Sequence, residues 1–323
     1  MSSNTHSLAQ ISLITKTRTQ NQGNQALSIS WRDFLATRYP QARVRLFERA
    51  PKYLRRYRTA ALASERDPVA AFDRIARDLL SRIPPAPGPS PSVWEVHHDP
   101  AQKQVVRFRR LRQALRLRSR IAALNLGGSE YLNRLHHLTQ ADLVVVNPAG
   151  EFQRDAQDTA LHYLLETRCA QLAGCHTAFV NLSFEVADPT VILLSGHVFK
   201  ACDVLEFRDM ESEAHFVANS GTAKPLIYPD GAIMTNLERS PDRFGKGIAL
   251  AINALQVRDH NLSQGWDSII EDLRNAGPVT LTSNEWTTDQ PFWRKYLALE
   301  GVSCDGETLD CFDYAKSLAS YDV

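Results

Sequence analysis

A chain of 323 residues is long enough for two domains, and 43% hydrophobic with 23% charged residues is the composition of a globular protein with a sizeable core. Those values exclude a disordered chain, a collagen-like fibre and a disulfide-stapled miniprotein. The formal net charge of +1 conceals a division: residues 1–120 hold 23 Lys and Arg against 8 Asp and Glu, and the remainder holds 14 against 28.

The first element is Ile11–Thr15, a β-branched run that reads as a strand. A polar loop, Lys16–Asn24, leads into a helix with Ala26, Leu27, Trp31, Phe34 and Leu35 at helical spacing, ending near Tyr39-Pro40. Arg43–Phe47 is the next strand, and strand–helix–strand opens a parallel sheet. Residues 68–82 form an amphipathic helix with Val69, Phe72, Ile75, Leu79 and Leu80 on one side. Pro84–Pro91 has five prolines in eight positions and reads as an extended surface linker. Residues 103–120 carry eight Lys and Arg and no acid, with Phe108, Leu111 and Leu115 at helical spacing, a basic amphipathic helix.

Strands are then expected at 121–126, 143–146, 177–182, 203–207 and 225–228, with helices such as 156–173 and 209–219 between them. That pattern is a doubly wound α/β domain, taken as residues 1–235. A second α/β unit, 236–323, has strands at 247–253 and 279–282 and helices at 262–276, 288–299 and 312–320. It is small for a sheet of its own.

Five cysteines at irregular spacing, with no Cys-x-x-Cys pair, point to free thiols in a reducing compartment rather than disulfides or zinc. The polar Met1–Gln10 shows no apolar signal region, and no run approaches the roughly 20 apolar residues that span a bilayer. A cytoplasmic location is the expectation.

Ligands of doubly wound sheets bind at the carboxyl ends of the strands, where loops feed helix N-termini. Four loops qualify. Asn21-Gln-Gly-Asn-Gln25 offers a glycine and backbone N–H groups at a helix start, as a phosphate or carboxylate requires, or is a plain turn. Asn147-Pro-Ala-Gly-Glu151 and Leu126-Gly-Gly-Ser-Glu130 are small-residue turns that let a ligand approach the backbone, or are simply tight turns. In Glu206-Phe-Arg-Asp-Met-Glu-Ser212, Arg208 has a planar charged fork suited to carboxylate or phosphate, and Ser212 could help hold that anion at the helix start. The competing reading is a salt bridge from Arg208 to Asp209 or Glu211.

Taken together, these segments resemble the polysaccharide pyruvyl transferase family. The resemblance rests on Asn21-Gln-Gly-Asn24, Ala141-Asp-Leu-Val-Val-Val-Asn-Pro-Ala-Gly-Glu151, Phe207-Arg-Asp-Met-Glu-Ser212 and Leu226-Ile-Tyr-Pro-Asp230, in order over residues 11–253. It implies two Rossmann-like domains of the GT-B kind and transfer of the enolpyruvyl group of phosphoenolpyruvate to a sugar hydroxyl. The product is a pyruvyl ketal on an exopolysaccharide or its lipid-linked precursor. No metal or cofactor is implied. Arg208 is the expected anion ligand, and Asn21, Gly23, Asn24, Asn147, Gly150, Glu151, Ser212 and Asp230 complete the expected substrate-binding set.

Two features depart from the family pattern. Asn-Pro-Ala-Gly replaces Gly-Gly-Gly in the second loop, and the sequence ends at Asp322-Val323, about where the family's Arg-x-His segment would begin. Its histidine is the expected general acid, so the expectation is a chain short of that segment. His136-His137 read as a surface pair, and His162, His176, His197 and His215 as ordinary helix or loop residues. Two other functions fit a fold of this kind: a nucleotide-sugar glycosyltransferase, and a non-catalytic member of a polysaccharide assembly complex. The basic helix 103–120 suits an anionic membrane leaflet, or arginines paired with the acidic second half; no nucleic-acid motif is present.

Overall fold

The computed structural model describes residues 8–16, 21–49, 59–86, 88, 94–96, 128–153, 156–220, 225–228, 230–231, 247–251, 265–283 and 286–304. The chain divides into two compact units, Met1–Arg18 with Leu27–Met234, and Thr19–Ala26 with Thr235–Val323. The basic segment 103–120, the expected strand 121–126 and the expected helix 312–320 lie outside the described residues.

The first unit is built on seven strands: β1 (Gln10–Thr15), β2 (Arg43–Glu48), β3 (Trp94–Val96), β4 (Leu143–Asn147), β5 (His176–Leu182), β6 (Val204–Phe207) and β7 (Leu226–Ile227). Their order is β3-β2-β1-β4-β5-β6-β7, and every pairing is parallel except that of β3 with β2. The chain winds outward from β1 through helix α1 (Gln22–Arg38) to β2, then returns to lay β4 on the opposite side of β1. The order therefore reverses between β1 and β4, which is the topological switch point of the sheet.

Both faces of a parallel sheet are covered, so its strands read as continuous apolar runs. On one face Ile14, Phe47, Val144, Val146, Phe179, Leu205 and Phe207 join a large core with three buried helices. These are α3 (Pro68–Ser81), α5 (Gln157–Leu172) and α6 (Pro189–Phe199), the intervening α2 (Thr59–Ala63) and α4 (Gly128–Thr139) flanking them. On the other face Ile11, Leu13, Val44, Leu46, Val145, Ala178 and Val180 pack against Trp31 and Leu35 of α1. Helix α7 (Met210–Ser220) follows β6.

Local chemistry sets several boundaries. Asp67 accepts the Ala70 N–H and Asp188 accepts those of Thr190 and Val191, each aspartate capping a helix whose next residue is proline. That pairing of an acidic cap with proline at the first helical position uses a site where no N–H is needed. Helix α5 shows no apolar stripe because it is buried nearly all round, and its one buried acid, Glu166, is held by Arg134 of α4 at 2.7 and 2.9 Å.

The expected surface histidine pair differs from the sequence reading. His136 meets the Pro84 carbonyl at 3.1 Å, Asn133 accepts the Gly88 N–H at 2.8 Å, and His137 meets the Gly88 carbonyl at 3.1 Å and Arg45 at 3.3 Å. His137 is buried, so this pair is a clasp that docks the segment on α4 rather than a surface pair. Strand β3 and the later strand Val302–Cys304 have no counterpart in the sequence reading, each being only three residues long.

The second unit contains a three-stranded parallel sheet, β10-β9-β8, of β8 (Ile248–Ala251), β9 (Val279–Thr282) and β10 (Val302–Cys304). Helices α8 (Trp266–Ala276) and α9 (Trp286–Trp293) contribute Ile270 and Trp293 to a small core with Val279, Leu281 and Tyr296. Gly247 precedes β8 at φ +95°, and a Cβ there would run into the Pro278 carbonyl. Only glycine fits both the left-handed backbone and that close approach.

Candidate functional site

Strand alternation decides which side chains line the carboxyl edge. Ile14, Val146, Leu205 and Phe207 belong to the large core, so Thr15, Asn147 and Glu206 face the opposite side of the sheet, the side of α1. Asn181 would fall on the large-core side by the same count. The β5–β6 register shifts between Phe179 and Leu182, and Asn181 takes φ +55°, which brings its side chain to Asn147.

The result is a continuous polar row across four strands, β1, β4, β5 and β6. The Asn181 amide donates to Asn147 Oδ1 at 3.4 Å, and Asn147 Nδ2 donates to Thr15 Oγ1 at 3.2 Å. Thr15 Oγ1 lies 2.9 Å from Ser28 Oγ, which donates to the Lys16 carbonyl at 3.2 Å. On the other side Asn181 Oδ1 accepts the Gly231 N–H at 3.0 Å, and the Asn181 backbone N–H donates to the Glu206 carboxylate. Asn181 is 0% exposed, Asn147 1% and Glu206 7%, so the row is a preorganised floor rather than a solvated fringe.

Two charged groups stand on this floor. At the switch point, Lys16 reaches Glu151 at 3.0 Å and Arg49, just beyond β2, pairs with the same carboxylate oxygen. Two cations thus share one largely buried acid. Beyond β6, Arg208 follows Glu206 by two residues and its N–H continues the ladder to the Leu182 carbonyl, so both side chains project from one face. Its guanidinium pairs with Asp230 at 3.4 Å and with Asp209 at 3.7 Å.

Of the residues expected from the sequence, the structure links Asn147 to the Asp230–Gly231 turn through Asn181, and pairs Arg208 with Asp230. Ser212 is buried; its hydroxyl accepts the Phe184 N–H at 2.9 Å and its own N–H donates to Asp209 at 2.7 Å, ties that anchor the start of α7. In the Asn147–Glu151 turn the left-handed residue is Ala149, at φ +51°, not Gly150. A Cβ on Gly150 would lie 2.9 Å from Gln153 Nε2, the tip of a flexible side chain.

The first loop also differs from its expected form. Gly23 and Asn24 lie inside the first turn of α1, and Asn21 is its cap, accepting the Asn24 N–H at 3.0 Å while its carbonyl accepts that of Gln25 at 3.2 Å. Part of the expected set of open backbone donors is thus used by the helix itself. Asn21, Gly23 and Asn24 are grouped with the second compact unit.

Asn181, Thr15, Ser28, Lys16 and Arg49 were not among the expected site residues. Asn181 had a signal: it is the one amide in the apolar run Ala178–Leu182. Glu206 was read only as part of its loop. Burial pushes its carboxyl from the ordinary 4.5 up to about 7, against the lowering effect of the Asn181 N–H. Three of the described histidines are engaged elsewhere, His197 with Asp73 at 3.0 Å, His176 with Asp203 at 3.0 Å and His215 with the Val186 carbonyl at 2.8 Å. Cys169, Cys175, Cys202 and Cys304 are free thiols, and burial raises Cys175 to about 11 and Cys202 to about 12.

Among the described residues no group of three or more His, Cys, Asp or Glu could hold a metal ion, and no helix is long and apolar enough to cross a membrane. No family model matches the sequence, and no curated protein matches it.

Proposed function

We propose that this protein is a polysaccharide pyruvyl transferase-like enzyme, transferring the enolpyruvyl group of phosphoenolpyruvate to a saccharide or lipid-linked saccharide hydroxyl. The observation that carries this reading is the position of Arg208: it stands at the carboxyl end of a buried strand, beside the Asn147–Asn181 floor, within Phe207-Arg-Asp-Met-Glu-Ser212. A Rossmann-like sheet presents ligands at that edge. Phosphoenolpyruvate has a carboxylate and a phosphate a few ångströms apart, and a guanidinium fork binds either group through two parallel N–H bonds. The Arg208 pairs with Asp209 and Asp230 are solvent-accessible and long, interactions worth on the order of 0–1 kcal/mol, so an incoming dianion can exchange for them.

The test is calorimetric titration of phosphoenolpyruvate together with phosphate release in the presence of a saccharide acceptor. Arg208→Ala should weaken phosphoenolpyruvate binding by about tenfold or more, a loss of roughly 1.4 kcal/mol, with an unchanged circular dichroism spectrum. Affinity equal to the wild type would return Arg208 to a structural ion pair. Stabilisation by UDP or GDP, with none by phosphoenolpyruvate, would move the assignment to a nucleotide-sugar glycosyltransferase; failure of all three ligands would favour a non-catalytic assembly component.

We also propose that the basic segment 103–120 makes peripheral contact with an anionic leaflet, where the acceptor's lipid carrier resides. Its eight Lys and Arg without an acid support this, each contributing about 1 kcal/mol near such a surface. Cosedimentation with phosphatidylserine vesicles should exceed that with phosphatidylcholine and fall when Arg109, Arg110, Arg112 and Arg116 are changed to Gln; equal binding to both lipids would exclude it.

A further inference from the structure

Three buried acids of the first unit, Glu151, Glu166 and Glu206, differ in one respect. Glu166 is clasped by Arg134, and Glu151 by Lys16 and Arg49. Among the described residues no ion pair compensates Glu206. Its neighbours on the flanking strands are the Asn181 amide on β5 and Leu226 opposite it on β7, neither charged, and the charged groups beyond it, Arg208 and Asp230, bond to one another. Burying a carboxyl without a cation costs stability, since desolvation is not offset by a charge of opposite sign. Such a group in a sheet interior is normally replaced by an apolar residue, as Leu205 and Phe207 are on either side. Its position matters as much as its burial. Glu206 ends the polar row that runs from Ser28 through Asn181, on the ligand-presenting edge. It precedes Arg208 by one strand repeat, roughly 7 Å along the backbone. That separation is comparable with the length of phosphoenolpyruvate itself.

Resting on the pyruvyl-transfer reading above, we propose that Glu206 is the catalytic proton donor to the substrate held by Arg208. The Glu206 O–H bond breaks as a C–H bond forms at the methylene carbon of phosphoenolpyruvate, and the adjacent carbon becomes an oxocarbenium centre. One acceptor hydroxyl adds to that carbon. The carbon–oxygen bond to phosphate then breaks and a second hydroxyl of the same sugar adds, closing the ketal. Of the two hydroxyl protons released, one leaves with inorganic phosphate and the other restores Glu206, so no oxidant or metal is consumed. A carboxyl that keeps its proton close to neutral pH is matched to this task, because general acids work best near the operating pH.

Glu206→Gln keeps the shape and the oxygen that accepts the Asn181 N–H while removing the transferable proton. In the full chain it should lower phosphate release from phosphoenolpyruvate in the presence of acceptor by about 10²-fold or more, with phosphoenolpyruvate affinity by calorimetry within about twofold of the wild type. The wild-type turnover number should fall as pH rises past about 7, the value to which the buried carboxyl is raised, and Glu206→Asp should restore part of the lost rate. Turnover by Glu206→Gln within threefold of wild type, or a flat wild-type profile from pH 5 to 9, overturns the assignment of Glu206 alone. Loss of affinity in step with rate also overturns it, making Glu206 a binding residue. A wild-type chain that binds and turns over no phosphoenolpyruvate overturns the pyruvyl-transfer reading, and the Glu206 step with it.

Discussion

Glu166 and Glu206 are both buried carboxylates of the first unit, and their surroundings predict opposite responses to mutation. Glu166 has 0% side-chain exposure and two charge-assisted hydrogen bonds from Arg134. Arg134→Met leaves that charge buried and unpaired, so unfolding free energy in urea should drop by about 3–5 kcal/mol. Changing Glu166 to Leu as well should recover most of the loss. Glu206, by contrast, holds its proton more tightly folded than unfolded. The unfolded chain gives up that proton near 4.5 and the folded chain near 7, so this group's contribution falls as pH rises between those values. Relative to wild type, Glu206→Gln should gain stability at pH 8 and show no such gain at pH 5, compared by thermal unfolding at both. Asp73 runs the other way: hydrogen bonds from Arg168 and His197 outweigh burial and hold its carboxyl below the ordinary 3.8. Its stabilisation is complete above that value and is lost as pH falls through the lower folded value. Asp73→Asn should therefore destabilise at neutral pH, with the difference vanishing in strong acid.

At the scale of elements, local rules account for most boundaries. Replacing either Asp67 or Asp188 by Ala should cost about 1 kcal/mol, because each carboxylate satisfies first-turn N–H groups that the helix leaves open. Gly247→Ala should cost more, on the order of 1–2 kcal/mol from the left-handed backbone alone with the Pro278 carbonyl contact added, read as selective loss of the second unit's protection in hydrogen exchange. The apolar runs of β1, β2, β4, β5 and β6 were legible in the sequence because a parallel strand buried on both faces must be apolar throughout. Helices α1 and α3 were legible from their periodicity. Strands β3 and β10 were not, since three residues carry no period and each exists only because a longer neighbour offers its edge. The histidine clasp was illegible for a similar reason: His136 and His137 acquire meaning only when α4 meets the backbone of Pro84 and Gly88.

For the molecule as a whole, the first unit's stability rests on one large core, in which Phe152, Phe179, Phe184, Phe199, Phe207 and Phe216 form a chain of ring contacts with centroids 4.6–6.3 Å apart. Phe152 touches three of the others, so Phe152→Ala should cost about 3–5 kcal/mol. The amino-acid sequence by itself determined the α/β class, the parallel winding and most of the elements, because these follow from hydrophobic period, caps and strand-to-helix order along the chain. It also marked Arg208 and Asn147 as edge residues. Only the tertiary structure decided that strand order reverses between β1 and β4, and that a bulge turns Asn181 onto the Asn147 side. Among the described residues, the same assembly left Glu206 buried without a cation while Glu166 and Glu151 found theirs. Burial and partnership are properties of neighbouring strands, and a side chain's neighbours across a sheet are set by register rather than by sequence distance.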